Sequence, residues 1–287
     1  MTPEPYHLSL PQGRSSAVVV ASPHSGRTYT PAFLEASVLD SRGIRSSEDA
    51  FVDLLLDRVP SLGAPLITAD APRAYVDLNR SQDELDPAVI EDIPRSALNP
   101  RVSSGLGVIP RVVSNGRAIY RGKISRREAL ARIEAIWRPY HRQLQSLLDE
   151  SRTQFGRAIL IDVHSMPHEA IDSVHHTQHL PPEIVLGDRF GASCNGRITD
   201  AAEAAFRRAG FRVARNAPFA GAFIAQHYGR PSYNQHVLQI EIDRSLYMHE
   251  PLIQPNGEFH TFKARFEGVL AEIVEIGGMG MRPLAAE

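Results

Sequence analysis

The chain has 287 residues, of which 43% are hydrophobic and 22% are charged, a composition typical of globular proteins and not of disordered or fibrous ones. Its formal net charge of −2 provides no bulk attraction to nucleic acid or to an anionic membrane. The only cysteine, Cys194, excludes an intrachain disulfide and a cysteine-based zinc site.

The hydropathy of the chain predicts a soluble, cytoplasmic protein. The first residues lack the basic segment followed by an apolar segment that marks a secretory signal. We expect no transmembrane helix, because no run of about 18 apolar residues occurs. A single cysteine also fits a reducing compartment.

The first predicted strand ends at a histidine. Residues 16–22 form a short, β-branched apolar run that predicts a buried strand, and the sequence PHSG (23–26) follows it. Ligands of open α/β sheets bind beyond the carboxyl ends of strands, so His24 is a candidate site residue.

Two acids stand before the next predicted helix. Ser46 or Ser47 is predicted to cap a helix over residues 50–59, with Glu48 and Asp49 near its start. These acids are explained equally well by a favourable interaction with the helix dipole and by a functional role.

A candidate carboxylate clamp follows the predicted strand at residues 64–69. In the stretch PRAYVDLNR (72–80), Asn79 and Arg80 follow a strand-like segment. Arginine offers a planar, bidentate fork to a carboxylate, and asparagine adds a neutral donor. Arg73 is a second candidate cation. We call Asn79 and Arg80 the carboxylate clamp.

The middle of the chain predicts a cover and a long helix. Residues 81–124 are irregular and rich in Pro and Gly, which is typical of a loop that covers an active site. Asn115-Gly116 within it predicts a hairpin turn. Residues 125–155 predict one amphipathic helix, capped by Ser125 and bent or broken near Trp137 by Pro139.

A second strand that ends in histidine lies at RAILIDVHSMP (157–167). Asp162 and His164 are two residues apart, so on a strand they point to the same face. A lone histidine of this kind is more often structural than functional, but His24 in the same setting favours a shared site. The polar loop that follows, with His168, His175, His176 and His179, is predicted to be a mobile active-site loop.

The last strong strand predicts a general base. In HVLQIEI (236–242), Val237, Gln239 and Glu241 share one face of the strand. Burying a glutamate in such an apolar run is costly unless its charge is paired or the side chain has a catalytic role. Glu241 therefore fits a proton-transfer role. Arg189 and Arg230, which follow earlier apolar segments, are candidate ligands of a substrate side-chain carboxylate.

Together these residues predict a hydrolase. Two histidines and one acid, with a position left for water, form the ligand set of a catalytic zinc site. With a buried glutamate to move the proton and an arginine to stabilise an oxyanion, the set suits hydrolysis of an amide next to a carboxylate.

Several stretches resemble the N-formylglutamate amidohydrolase family in combination. They are PHSG (23–26), SSEDAFVD (46–53), PRAYVDLNR (72–80), WRPYHRQL (137–144), LIDVHSMP (160–167), LGDRFGASC (186–194), HYGRP (227–231) and LQIEIDRSLYMHE (238–250). The resemblance implies hydrolysis of N-formyl-L-glutamate to formate and L-glutamate, the last step of one route of histidine breakdown. It also implies one α/β domain over residues 1–287, in which a mixed, twisted sheet lies between helix layers as in zinc carboxypeptidases.

The resemblance assigns roles residue by residue. His24 and His164 match the metal histidines, and zinc is the expected metal. Carboxypeptidase-like enzymes place a glutamate three residues after the first histidine, where this chain has Arg27, so Asp49 is the expected carboxylate ligand and Glu48 its alternative. Glu241 is expected to transfer the proton, and Arg73 is expected to contact the oxyanion. Asn79 and Arg80 are expected to bind the substrate carboxylate.

Two other functions remain open on the sequence. The chain also fits a deacylase or carboxypeptidase-like hydrolase of another N-acyl amino acid. From a different class, it fits a catalytically silent binding module on the same fold. In the enzyme hypotheses the partner is a small-molecule substrate, with no nucleic acid and no membrane.

Overall fold

A mixed sheet of seven strands organises the chain. The computed structural model describes residues 4–94, 99–172 and 180–278. The strand order in the sheet is β1-β3-β2-β4-β7-β5-β6. The strands are Tyr6–Ser9 (β1), Val18–Ser22 (β2), Leu66–Ala69 (β3), Ala158–Met166 (β4), Ile184–Gly187 (β5), Val213–Arg215 (β6) and Gln235–Asp243 (β7), with a separate ribbon of Met248–His249 (β8) and Gln254–Pro255 (β9).

The three central strands explain the apolar runs of the sequence. Every residue of β2, β4 and β7 is buried, which requires the near-continuous hydrophobic runs typical of parallel strands covered on both faces. β2 pairs with β4 and β4 with β7 in parallel, whereas β5 runs antiparallel to β7. The predicted mixed sheet is thereby confirmed.

Helices flank this sheet. Their bounds are Pro31–Ala36 (α1), Val52–Leu55 (α2), Pro100–Ser103 (α3), Arg126–Arg132 (α4), Arg138–Phe155 (α5), Glu169–Asp172 (α6), Gly196–Arg208 (α7), Phe223–Tyr228 (α8) and Phe259–Ile276 (α9). In α9, apolar residues at helical spacing, among them Phe262, Phe266 and Leu270, are buried. No helix in the described part of the chain is long and apolar enough to span a membrane.

The predicted long helix is interrupted as its proline indicates. Ser125 caps α4, since its Oγ accepts a hydrogen bond of 3.2 Å from the Glu128 amide. A π-helical turn, Ile133–Trp137, separates α4 from α5, and Pro139 is the second residue of α5. Proline has no N–H to continue the α-helical ladder, so the wider turn occurs where the ladder is broken.

The predicted capping of the helix after Asp49 is wrong. α2 is a single turn, and Phe51 at its N-cap has a left-handed φ of 66° with no side-chain cap. The two serines are engaged elsewhere: Ser46 Oγ donates to the Gly43 carbonyl, and Ser47 Oγ accepts from the Ser114 amide.

Two smaller predictions have different outcomes. The segment before the carboxylate clamp is a turn and not strand-like, because the Tyr75 amide bonds back to the Pro72 carbonyl. The predicted reversal at Asn115-Gly116 is present: a 3-10 turn, Ser114–Gly116, follows an antiparallel bridge between Val112 and Ala118, and the Val113 amide donates to the Arg117 carbonyl at 2.9 Å.

Contacts group the chain into two units. One comprises residues 1–7, 23–50 and 68–143, and it holds α1, α3, α4 and many turns. The other comprises residues 8–22, 51–67 and 144–287, and it holds the central strands. In the predicted mobile loop, His175, His176 and His179 lie outside the described residues, whereas His168 is described, with its Nδ1 at 2.8 Å from Asp243 Oδ2.

Candidate active site

His24 and Asp49 lie together in loops. His24 is 2% exposed and Asp49 is 1% exposed, and the Asp49 amide donates to the His24 carbonyl at 3.0 Å. The side chains also meet, with His24 Nδ1 at 3.6 Å from Asp49 Oδ2. Gly26 makes this turn possible, because a Cβ there would collide with the backbone of Ala71.

Asp77 fixes the tautomer of His24. His24 Nε2 lies 2.8 Å from Asp77 Oδ1, and a carboxylate only accepts, so Nε2 carries the proton. Nδ1, which faces Asp49, then holds the lone pair. A carboxylate that accepts from the other ring nitrogen is the usual companion of a metal-binding histidine.

Asp77 is itself held by its neighbours. Arg73 Nε donates to Asp77 Oδ2 at 2.9 Å, and the Asn79 amide donates to Asp77 Oδ1 at 2.9 Å. Burial alone would raise the pKa of Asp77, but the nearby Arg73, His24 and Arg80 together hold this pKa well below its ordinary value. The carboxylate therefore remains ionised.

Glu48 is committed to a different network. Arg45 donates two hydrogen bonds to the Glu48 carboxylate, from Nε at 2.8 Å and from Nη2 at 2.9 Å. The Tyr29 hydroxyl donates a third at 3.1 Å. Burial and the Glu48 charge raise the pKa of Tyr29 well above its ordinary value, so Tyr29 keeps its proton. This engagement favours Asp49 over Glu48 as the carboxylate ligand.

His164 completes a group of metal-type ligands. It lies in β4 and is 3% exposed. Ligand atoms of His24, Asp49 and His164 all lie within 4.8 Å of one another. His164 Nε2 is also 3.1 Å from Asp162 Oδ2, although neither carboxylate oxygen of Asp162 makes a hydrogen bond within the described part of the chain.

Glu241 lies beside His164 on the neighbouring strand. The two residues are register partners in the parallel pair β4–β7, so their side chains point to the same face. Gln239 Nε2 donates to Glu241 Oε1 at 2.9 Å, while Gln239 Oε1 accepts from the Ala222 amide at 3.1 Å. The second bond fixes the orientation of the Gln239 amide, so that it donates to Glu241.

The carboxylate clamp is built into a hydrogen-bonded turn. Arg80 is 7% exposed, and its Nε donates to the Leu106 carbonyl at 2.8 Å, within the predicted cover. Arg80 Nη1 donates to the Asn79 carbonyl at 2.9 Å. Burial lowers the pKa of Arg80 from its ordinary value, although a guanidinium stays protonated.

The two remaining arginines have different surroundings. Arg189 follows β5, and its Nη1 donates to the Gly221 carbonyl at 3.3 Å, next to the amide that binds Gln239. Arg230 is exposed and pairs with Gln235 at the start of β7. At a rise of about 3.3 Å per residue, Glu241 lies about 20 Å further along that strand, which argues against a shared role.

Sequence reasoning missed Asp77 and the role of Gln239. Asp77 stood in the quoted stretch PRAYVDLNR, and a buried acid between two arginines was the signal for it. Gln239 was placed on the face of Glu241, but the bond between them depends on side-chain geometry that periodicity does not give.

The fold and these residues define a hydrolase with buried catalytic-type groups on a mixed α/β sheet. The chain belongs to the N-formylglutamate amidohydrolase family, whose sequence model matches residues 16–248. Its enzyme class, an amidohydrolase, follows from that membership.

Individual relatives agree with the family match. N-formylglutamate deformylase of Pseudomonas aeruginosa is 30% identical over 251 residues, which cover 85% of this chain and 86% of that one. The enzyme of the same name from Pseudomonas putida is 31% identical over 250 residues, with 85% of each chain covered.

Solved structures agree as well. The crystal structure of N-formylglutamate amidohydrolase from Ralstonia eutropha JMP134 has a TM-score of 0.88 at 34% identity, covering 95% of this chain and 98% of that one. A protein from Agrobacterium tumefaciens has a TM-score of 0.67 at 16% identity, covering 95% and 96%, and shows the fold alone.

Proposed function

We propose that this protein hydrolyses the N-formyl amide of N-formyl-L-glutamate to formate and L-glutamate. The observation that carries the proposal is the buried group of His24, Asp49 and His164, with Glu241 beside His164 in strand register. The names of the Pseudomonas and Ralstonia relatives support the choice of substrate.

The donor set fits a divalent metal, for which zinc is our candidate. Two imidazoles and one carboxylate are borderline ligands that suit zinc, and His24 presents Nδ1 because Asp77 holds the proton on Nε2. When bound, such an ion supplies Lewis acidity for water activation and carbonyl polarisation.

Glu241 moves the proton. We propose that Glu241 accepts a proton from the attacking water as the new C–O bond forms. It then passes this proton to the leaving nitrogen as the C–N bond breaks. Gln239 holds one carboxylate oxygen of Glu241, so the side chain keeps a single orientation through both transfers. The products, formate and the protonated amine of L-glutamate, balance the atoms and the charge of water and amide.

The arginines bind and stabilise charge. The carboxylate clamp binds the substrate α-carboxylate through the guanidinium and amide donors of Arg80 and Asn79. Arg73, oriented by its bond to Asp77, stabilises the oxyanion. Arg189 is the better placed of the two candidates for the side-chain carboxylate, since Arg230 lies at the far end of β7 from Glu241.

The wider setting is also part of the proposal. We treat the chain as one amidohydrolase domain, because the family match extends from residue 16 to residue 248. We place the reaction in histidine breakdown in the cytoplasm, on the family resemblance.

The test is formate release by purified protein after metal loading and after chelation. We expect N-formyl-L-glutamate to be cleaved with zinc present, and activity to be lost on chelation and restored by zinc. N-acetyl-L-glutamate and N-formyl-L-glutamine in the same assay separate this reaction from hydrolysis of other N-acyl amino acids. Protein that neither binds zinc nor releases formate would rule the proposal out.

A further inference from the structure

The π-helical turn brings one end of α5 against the carboxylate clamp. The Arg138 amide bonds to the Ile133 carbonyl, five residues back, and Pro139 has no N–H for the Ala135 carbonyl. A π turn inserts one extra residue and so changes which side chains face a given neighbour. Trp137 is the last residue of this turn.

Two side chains from this region hold the clamp's backbone. Trp137 Nε1 donates to the Arg80 carbonyl at 2.9 Å. His141 Nε2 lies 3.0 Å from the Leu78 carbonyl and must donate, because a carbonyl only accepts. Trp137 and His141 are one helical turn apart on the same face, with ring centroids 3.9 Å apart. They therefore bind the turn on both sides of Asn79.

Side chains satisfy three consecutive carbonyls here. His141 binds the carbonyl of Leu78, Arg80 binds that of Asn79, and Trp137 binds that of Arg80. The turn lies outside the strands of the sheet, so no strand ladder fixes it. Trp137 is 8% exposed and His141 is 6% exposed, so water competes little for these bonds.

We propose that Trp137 and His141 are positioning residues that set the affinity of the carboxylate clamp. This inference rests on the proposed function, in which Asn79 and Arg80 bind the substrate carboxylate. The hydrogen bonds described for Trp137 and His141 go to the backbone of the carboxylate clamp, and neither residue belongs to the group of His24, Asp49 and His164, so we assign both to substrate binding and not to the chemical step.

The first test separates KM from kcat. Trp137→Phe keeps an aromatic ring but removes the donor to Arg80, and we expect KM for N-formyl-L-glutamate to rise about fivefold with kcat within about twofold. Ser146→Ala, which removes a hydrogen bond of 3.1 Å to Glu150 on the exposed side of the same helix, is the matched control and leaves KM unchanged. An unchanged KM in Trp137→Phe, or a fall confined to kcat, overturns the inference.

A cycle with Arg80 tests whether the effect passes through the clamp. In an Arg80→Met background, Trp137→Phe should raise KM by much less, because only the Asn79 donor of the clamp remains to be positioned. His141→Phe removes the donor to Leu78 and should raise KM, whereas His141→Gln retains an N–H donor and should recover part of the loss. If Trp137→Phe raised KM equally in the parent and in the Arg80→Met protein, the effect would be general destabilisation, and the positioning role of Trp137 would be overturned.

A binding measurement separates this inference from the proposed reaction. Trp137 is the chain's one tryptophan, so its emission reports directly on the bond to Arg80. Titrating the metal-loaded full chain with L-glutamate should change the emission saturably, and Arg80→Met should abolish the change. A saturable change in emission that Arg80→Met abolishes, without any formate release, would support the positioning role and exclude N-formyl-L-glutamate hydrolysis as the function. An unchanged emission overturns the positioning role whether or not formate is released.

Discussion

The residues of the site are held by two different means. His164 and Glu241 lie on adjacent strands, where the ladder between β4 and β7 fixes their backbones in register. His24, Asp49 and Arg80 lie in turns, where side chains such as Asp77 and Trp137 supply the hydrogen bonds. A strand-held residue should therefore tolerate the loss of a side-chain partner, whereas a turn-held residue should lose its geometry.

The largest effect on kcat should come from Glu241, the proposed proton-transfer residue on strand β7. Glu241→Gln keeps the size and the bond to Gln239 but cannot accept a proton, so kcat should fall by about 10³-fold. Because the ladder holds position 241, the variant should bind metal as the parent does, which elemental analysis can check.

Glu203→Gln is the matched control for that variant. Glu203 lies on α7 and pairs with Arg207 and Arg215 at the surface, so kcat should not change. A Glu241→Gln protein with kcat within tenfold of the parent would remove Glu241 from proton transfer.

Strand β7 also contains a buried histidine outside the candidate site. His236 in β7 is 1% exposed, and neither ring nitrogen has a hydrogen-bond partner among the described residues. Burial, with a smaller effect from Arg157, lowers the pKa of His236 to about 4. The unfolded chain, in which this pKa is near 6.5, binds a proton at a pH where the folded chain does not.

This difference predicts acid sensitivity. As pH falls from about 6.5 to about 4, the His236 contribution should reduce the free energy of unfolding by about 2–3 kcal/mol, and above pH 6.5 it should vanish. Urea unfolding of metal-free His236→Phe should show a shallower loss over that range than the metal-free parent. Parallel pH profiles for the two proteins would contradict the assignment.

The turn side should be most sensitive at Asp77. Asp77→Asn removes the charge that holds His24 Nε2 and Arg73, so metal affinity should fall about 10- to 100-fold. Competition with a fluorescent zinc chelator measures this loss.

Asp70→Asn is the corresponding control on the turn side. Asp70 accepts from Thr28 at 2.7 Å and contacts His7 at 3.0 Å, and it does not belong to the group of metal-type ligands. The metal affinity of the Asp70→Asn protein should equal that of the parent. If Asp77→Asn bound zinc equally tightly, the Asp77 bond would not position His24.

The same contrast explains what the sequence could predict. Strand positions follow from apolar runs and the two-residue period, so the placement of His164 and Glu241 on buried strands was predictable, whereas the β4–β7 register that aligns them was not. The partners of turn residues are distant in sequence, as with Trp137 and Arg80, and no local pattern encodes them. The wrong capping of α2 has the same origin, because Ser47 bonds to Ser114 and not to its own helix.

The smallest effect should follow removal of a partner on the strand side. Gln239→Met deletes the donor to Glu241 and the acceptor of the Ala222 amide but leaves the β4–β7 register intact. We expect kcat to fall only about threefold to tenfold, near the value of one hydrogen bond. Metal affinity should stay constant, because Gln239 contacts none of the metal-type ligands by any described hydrogen bond. A loss of metal affinity as large as that of Asp77→Asn would show that strand register does not protect the site, and that side-chain networks position both halves alike.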